Sequence, residues 1–168
     1  MKTASIITSL VVALHAGVLP AQTPGLPPPA KAATDGKVWG ALVYASAQKT
    51  EPFAKVALPK GLEDLHERLG KVFPGFPHFE IIGQHTQDIF REYESWVVPS
   101  RDLFLKVDSK GPAEGGGMNL HLQFWQDQQV LVKSDAVLRS QSPLFIGGPK
   151  WREGRLIFVL QLTNGGGK

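Results

Sequence analysis

The side chains best suited to chemistry in this chain are histidines, carboxylates and tryptophans, because the sequence contains no cysteine. Thiolate nucleophiles, thiolate metal sites and disulfides are therefore excluded. His78, His85 and His121 are candidates to converge on a divalent metal. However, no histidine pair has the HExxH spacing, and no carboxylate lies at a tight ligand interval. We therefore expect isolated histidines, with no metal and no cofactor.

Nucleophilic and acid–base catalysis find little support in the residue spacing. No GxSxG sequence occurs, so a serine hydrolase is not indicated. Glu80, Glu92 and Glu94 fall in one region, but a glycosidase needs two carboxyls facing each other across about 5 to 9.5 Å. Spacing along the chain does not show such a pair. A small secreted enzyme that acts on glycans through these carboxylates therefore remains an alternative.

The tryptophans are more informative, because Trp125 and Trp151 do not fit the predicted core faces. Trp125 shares the polar parity of its strand with His121, and Trp151 is predicted at a loop tip between glycine-rich flanks. Exposed aromatic side chains often mark interfaces or sugar platforms. We predict that Trp125, Trp151 and His121 are binding residues. The alternative is that the aromatic rings only cover a sheet edge or a second face.

Strands must position these residues. In the segment from Met118 to Trp125, every second residue is apolar, which predicts a half-buried strand. A second strand from Val130 to Arg139 is predicted to form an antiparallel hairpin with it, with a bulge near residues 133–135. Nearly every residue from Leu156 to Leu162 is apolar. This pattern is typical of a strand that packs on a core layer with one face and on a helix with the other.

The earlier part of the chain predicts one helix among further strands. Apolar residues spaced three and four apart predict a helix over residues 61–72 that docks on the sheet through Leu62, Leu65, Leu69 and Val72 or Phe73. Other predicted strands and loops are assigned by alternation and by turn residues: strands at 37–45, 79–83 and 103–107, and a flexible loop at 108–117. Residues 84–94 fit a helix or a strand, and we favour an extended strand over 89–98.

The N-terminal segment resembles an export signal. Met1 and Lys2 precede an apolar run from Ala4 to Leu14, and a run of about 11 residues has signal-peptide length and is too short to span a bilayer. We predict a signal peptide over residues 1–21 and a proline-rich linker over 22–36. An α+β domain should follow over 37–163, with a flexible tail at 164–168. An N-terminal core helix is the alternative to the signal peptide.

These patterns predict an α+β fold with one helix packed on a predominantly antiparallel β-sheet, in a single domain. The net charge of +3 is dispersed, so no nucleic-acid surface is indicated, and no later segment is apolar enough for a membrane helix. We expect a secreted or periplasmic, non-catalytic binding or assembly module of a bacterial cell envelope. Its partner would be another envelope protein or a glycan. A ligand carrier with a pocket between helix and sheet is a further alternative.

Overall fold

The structure is a computed structural model, and it describes residues 34–49, 56–91 and 93–164. The predicted signal peptide, most of the predicted linker, Glu92 and residues 165–168 lie outside the described residues. The first strand begins at Thr34, inside the segment predicted as linker.

Eight strands and one helix make up the regular structure of the described residues. In chain order they are β1 (Thr34–Ser46), α1 (Leu65–Val72), β2 (His78–Phe90), β3 (Ser95–Val97), β4 (Leu103–Pro112), β5 (Met118–Gln126), β6 (Gln129–Leu138), β7 (Leu144–Trp151) and β8 (Gly154–Asn164). They form two four-stranded sheets: sheet 1 in the order β2-β1-β8-β7 and sheet 2 in the order β3-β4-β5-β6. All strand pairs within the sheets are antiparallel. The predicted antiparallel β-structure with one helix is confirmed, although it is divided between two sheets.

The main core lies between the two sheets. Alternate residues of β5 are buried there, as predicted from their spacing: Met118, Leu120, Leu122 and Phe124. They meet side chains from the facing side of sheet 1, and the rings of Phe124 and Phe158 pack edge to face at 5.0 Å between centroids. An aromatic pair of this geometry adds roughly 0.5 to 1.5 kcal/mol to the effect of area burial alone.

A second core forms where α1 covers the opposite face of sheet 1. Leu62, Leu65 and Leu69 are fully buried there, as the leucine spacing predicts. At the fourth position of the stripe Phe73 packs against this core, whereas Val72 is exposed. The helix nevertheless begins at Leu65, because Gly61 has a φ of +86° and the Leu62 N–H donates to the Pro59 carbonyl at 3.2 Å. A left-handed glycine supports a turn rather than a helix start. The predicted first turn of the helix is therefore a separate tight turn.

Strand β8 is buried on both faces, as predicted. Leu156, Phe158 and Leu160 belong to the core between the sheets, whereas Ile157 and Val159 belong to the core under the helix. This explains why the strand lacks alternation: each face has an apolar layer of its own to meet.

Three further features differ from the prediction. β2 runs from His78 through Phe90, so residues 84–90 are extended as favoured, but β3 is a separate short strand at Ser95–Val97. β4 continues to Pro112, which reduces the predicted loop at 108–117 to a turn closed by a hydrogen bond from Ala113 N–H to the Gly117 carbonyl. The bulge in β6 falls at Leu131 and not at 133–135, because Phe124 opposes Val132 while Trp125 opposes Val130.

One side of the sandwich is closed and the other is open. On the closed side β2 approaches β3, where the Val98 N–H donates to His85 Nδ1 at 3.2 Å. On the other side, β6 and β7 are the outermost strands of their sheets, and no strand pair joins them. The gap between these two edge strands forms the apolar cleft described below.

Candidate functional site

An apolar cleft with a volume of about 340 Å³ lies between the edge strands β6 and β7. Its inner wall consists of core side chains of sheet 2, and its rim consists of residues of the two edge strands. The lining residues are Leu105, Leu122, Phe124, Val132, Ser134, Asp135, Ala136, Leu144, Phe145, Ile146 and Gly147. Pockets of about 300 to 1,000 Å³ with apolar walls and a few polar groups are typical small-molecule sites.

Small side chains on β6 create this space. Directly opposed residues of antiparallel strands share a face, so Ser134 and Ala136 face inward because they oppose Leu122 and Leu120. Neither fills the volume that a leucine would fill. At one end of β6, Leu138 is fully buried in the core, whereas Val132 near the other end lines the cleft and is 42% exposed. The cleft therefore opens toward the β5–β6 hairpin.

The polar groups of the cleft lie at its rim. Ser134 Oγ donates to the backbone carbonyl of Asp135 at 3.3 Å. The Asp135 carboxylate points the other way, since its Oδ1 lies 2.8 Å from Nδ1 of His121 on the outer face of sheet 2. Asp135 is the only titratable residue among the described residues that line the cleft. The arrangement therefore suits binding of an apolar group better than acid–base catalysis.

Two of the predicted binding residues lie on the outer face of sheet 2. Trp125 and His121 are both half-buried on β5. The Trp125 ring stacks on Phe104 at 6.3 Å between centroids with an interplanar angle of 12°, and Trp96 lies 6.0 Å away. Trp125 Nε1 is buried and has no hydrogen-bond partner within the described part of the chain. These three rings form an aromatic cluster, which we call the outer aromatic cluster.

The third predicted binding residue, Trp151, is elsewhere. It is the last residue of β7 in sheet 1, before a tight hairpin in which Arg152 has a φ of 49°. Its ring is half-buried, packs edge to face on Tyr44 at 5.0 Å, and lies 4.1 Å under the Arg152 guanidinium. The predicted loop-tip position is therefore wrong, and the structure does not bring Trp151 together with Trp125 and His121.

Glu80 and Glu94 are the candidate catalytic carboxylates that the structure describes, and they do not face each other. Glu80 opposes Tyr44 and thus shares the face of sheet 1 that turns toward sheet 2. Glu94 accepts a 2.6 Å hydrogen bond from Lys106 Nζ, and this contact raises the pKa of Lys106 above its ordinary value. Lys106 opposes Gln123 on the outer face of sheet 2, so the two carboxylates belong to different surfaces.

The candidate metal ligands are also separate. The described residues contain no group of three or more histidine, aspartate or glutamate side chains placed to hold a metal ion. His85 accepts the Val98 N–H through Nδ1, and His121 contacts Asp135. His85 and His121 therefore each have a local hydrogen-bonding partner.

Ser134 and Ala136, the inward residues of β6, were not predicted from the sequence. A bulge at 133–135 interrupts the alternation that places both of them on the inner face. The two-residue turn Asp127–Gln128 fixes the start of the pairing, because Asp127 has a φ of 51° and Gln126 opposes Gln129. Without a bulge, residue pairs counted from that turn would place Leu138 on the outer face. One extra residue, Leu131, leaves Trp125 on the outer face and places Leu138 on the inner face.

Comparison of the chain with protein-family models, curated proteins and solved structures found no match. No helix within the described residues is long and apolar enough to cross a membrane.

Proposed function

We propose that this chain is an exported, non-catalytic binding protein that holds a small amphipathic molecule with a linear alkyl chain in the cleft between β6 and β7. The observation that carries this proposal is the 340 Å³ apolar space on the open side of the sandwich, walled by Leu122, Phe124, Leu144 and Ile146. The alternative of a pocket between helix and sheet has less support, because Leu65 and Leu69 of α1 are fully buried against sheet 1.

The energetics allow useful affinity for an alkyl chain. Each buried methylene contributes about 0.8 kcal/mol, so eight methylenes contribute roughly 6 kcal/mol before the costs of association are subtracted. The costs of association are about 4 kcal/mol or more, so a longer chain or polar contacts at the rim must add to this gain for binding in the micromolar range. Ser134 and backbone groups at the mouth are placed to contact a polar head group that remains near water.

Export is the second part of the proposal, and it is supported by the charged start and the apolar run from Ala4 to Leu14. The mature protein should begin after a residue between 16 and 22. N-terminal sequencing of the protein recovered from the periplasm or medium tests this. An intact Met1 on a cytoplasmic product would contradict export and would leave the ligand proposal to be tested separately.

The ligand proposal is tested by displacement of a fluorescent acyl probe from the purified mature chain by linear fatty acids of increasing length. Ala136→Phe should fill the cleft and weaken binding at least tenfold. Val137→Phe is the matched control, since Val137 opposes Asn119 on the outer face of the same strand and is 44% exposed. This control should bind as the wild type does.

Circular dichroism and thermal melting establish that both variants fold. If Ala136→Phe is too unstable, Ser134→Leu at the neighbouring inward position replaces it, with Lys133→Leu as its outward control. Equal binding by an inward variant and its outward control would show that the probe does not occupy the cleft. Absence of any acyl binding by the wild type at millimolar concentrations would refute the proposed ligand class.

A further inference from the structure

Strand β6 is a long and unusually exposed sheet edge. It is the outermost strand of sheet 2, spans ten residues, and within the described part of the chain has β5 as its only strand partner. Three of its apolar side chains are strongly exposed: Leu131 at 39%, Val132 at 42% and Val137 at 44%. An unpaired edge of this length with exposed apolar residues is a template for pairing with another strand.

We propose that the β6 edge pairs with the β6 edge of a second copy of this chain. The two copies would be related by a two-fold axis perpendicular to sheet 2, and the two four-stranded sheets would form one continuous antiparallel sheet. This is the isologous arrangement that is commonest among homodimers. The proposal concerns the strand edge and does not depend on what the cleft binds.

Symmetry limits the possible registers. Rotation about an axis perpendicular to the sheet keeps every side chain on its own face. Directly opposed residues of antiparallel strands share a face, so the pair that flanks the axis must consist of one residue and its own copy. Near the middle of the strand the choices are Lys133, Ser134 and Asp135. An axis at Lys133 sets two lysines against each other, and an axis at Asp135 sets two carboxylates against each other. Like charges directly opposite destabilise a strand pair.

An axis at Ser134 instead makes the charges complementary. Lys133 of each copy then opposes Asp135 of the other, which gives two opposite-charge pairs on the outer face. Both side chains belong to exposed residues and are available for this contact, although Asp135 also lies 2.8 Å from His121 within its own copy. Charge complementarity therefore selects one register out of three.

The same register also pairs the apolar residues. On the inner face Val132 opposes Ala136 of the second copy, and on the outer face Val137 comes beside Leu131, the bulge residue. All three strongly exposed apolar side chains of β6 thus acquire apolar neighbours. Because the axis is perpendicular to sheet 2, both copies of sheet 1, and with them both clefts, lie on the same side of the joined sheet.

The first experiment measures molecular mass by analytical ultracentrifugation of the mature chain from micromolar to several hundred micromolar concentrations. The wild type should dimerise. Lys133→Asp and Asp135→Lys should each weaken self-association at least tenfold, because each places like charges opposite one another. An equimolar mixture of the two variants should form a heterodimer, since every pair across that interface is again complementary. The doubly exchanged variant should self-associate as the wild type does.

A second experiment tests the register itself. Directly opposed residues have Cα atoms about 4.5 to 5.5 Å apart, within the roughly 4.4 to 6.8 Å that a disulfide requires. Ser134→Cys should therefore cross-link to its own copy under mild oxidation, in a chain that has no other cysteine. Val132→Cys is the matched control: it lies on the same face, but its two copies would be separated by four residues, about 13 Å.

Melting curves confirm that each variant is folded. A wild type that remains monomeric throughout the concentration range would refute the dimer. Single charge variants that associate like the wild type, or a mixture that does not restore association, would refute the pairing of Lys133 with Asp135. Equal cross-linking of the Ser134 and Val132 variants, or a dimer in which Ser134→Cys fails to cross-link, would refute the axis at Ser134.

Discussion

Ser109 Oγ lies 2.6 Å from Asp35 Oδ2, and this hydrogen bond links β1 of sheet 1 to β4 of sheet 2. Arg91 donates two hydrogen bonds to the same carboxylate, from Nε to Oδ2 at 3.2 Å and from Nη2 to Oδ1 at 2.8 Å. The Asp35 side chain is only 14% exposed, and Ser109 is buried. The two sheets are thus joined by a shielded polar contact at one end of the sandwich, in addition to the apolar core.

Asp35→Ala should destabilise the protein by about 1.5 to 3 kcal/mol, because hydrogen bonds to a charged group are lost and a buried hydroxyl loses its acceptor. Asp88→Ala is the control, since Asp88 pairs with Lys37 at 3.4 Å and both side chains are about half exposed. Exposed ion pairs contribute at most about 1 kcal/mol. Urea denaturation measures the free energy of unfolding of both variants. Equal losses of that free energy would show that Asp35 does not link the sheets.

Gly83→Ala should destabilise the closed side of the sandwich. A Cβ at Gly83 would collide with the Pro99 carbonyl oxygen, so the backbone of one strand would have to move. Gly70 offers the opposite case in α1, where a Cβ would meet nothing within 4 Å. Gly70→Ala should stabilise the protein by roughly 0.5 to 1 kcal/mol through helix propensity. The melting temperatures of the two variants should shift in opposite directions. An unchanged melting temperature for Gly83→Ala would contradict the close approach of β2 to Pro99.

Leu65→Asp should unfold the domain. Leu65 is fully buried between α1 and sheet 1, and an unpaired buried carboxylate costs several kcal/mol, comparable to the stability of a whole domain. Val72→Asp on the same helix is the control, because Val72 is 52% exposed. Circular dichroism of both variants checks the helix orientation. A folded Leu65→Asp variant would show that the leucine face does not dock on the sheet.

The elements that the sequence predicts well are those with a strong local signal. The alternation from Met118 to Phe124 and the continuous apolar run from Leu156 to Leu162 each specify burial without knowledge of the neighbours. Leu62, Leu65 and Leu69 likewise indicate the buried side of the helical segment. In these cases the side-chain pattern and the final environment agree.

The features that escaped prediction depend on backbone geometry at single residues. The inner face of β6 is determined by the bulge at Leu131, and the position of Trp151 by a hairpin in which Arg152 takes a positive φ. Non-glycine residues rarely adopt that conformation, so their sequence carries no clear turn signal. The division into two sheets, and with it the cleft, follows from long-range pairing that local patterns do not encode.

The two tryptophans predicted to bind a partner should now differ in their effects on stability. Trp151→Ala should cost a substantial part of the roughly 3 to 5 kcal/mol that is typical of core tryptophans, because its ring packs on Tyr44 and the core between the sheets. Trp125→Phe should keep the stack on Phe104 and remove an N–H that is buried without a partner, so stability should be unchanged or higher. Denaturant midpoints measure both changes.

Binding through the outer aromatic cluster is then tested with Trp125→Ala, by isothermal titration against soluble peptidoglycan fragments as the glycan probe. We expect at least a tenfold loss of affinity, because a buried aromatic anchor contributes about 2 kcal/mol or more at an interface. Trp151→Phe, on the other sheet, should leave affinity unchanged. The cluster is structural if Trp125→Ala loses as much stability as a core variant and either keeps the affinity of the wild type or the wild type itself does not bind. The outer face of sheet 2 would then serve to shield β4 and β5, and the cleft between β6 and β7 would remain the functional surface to test.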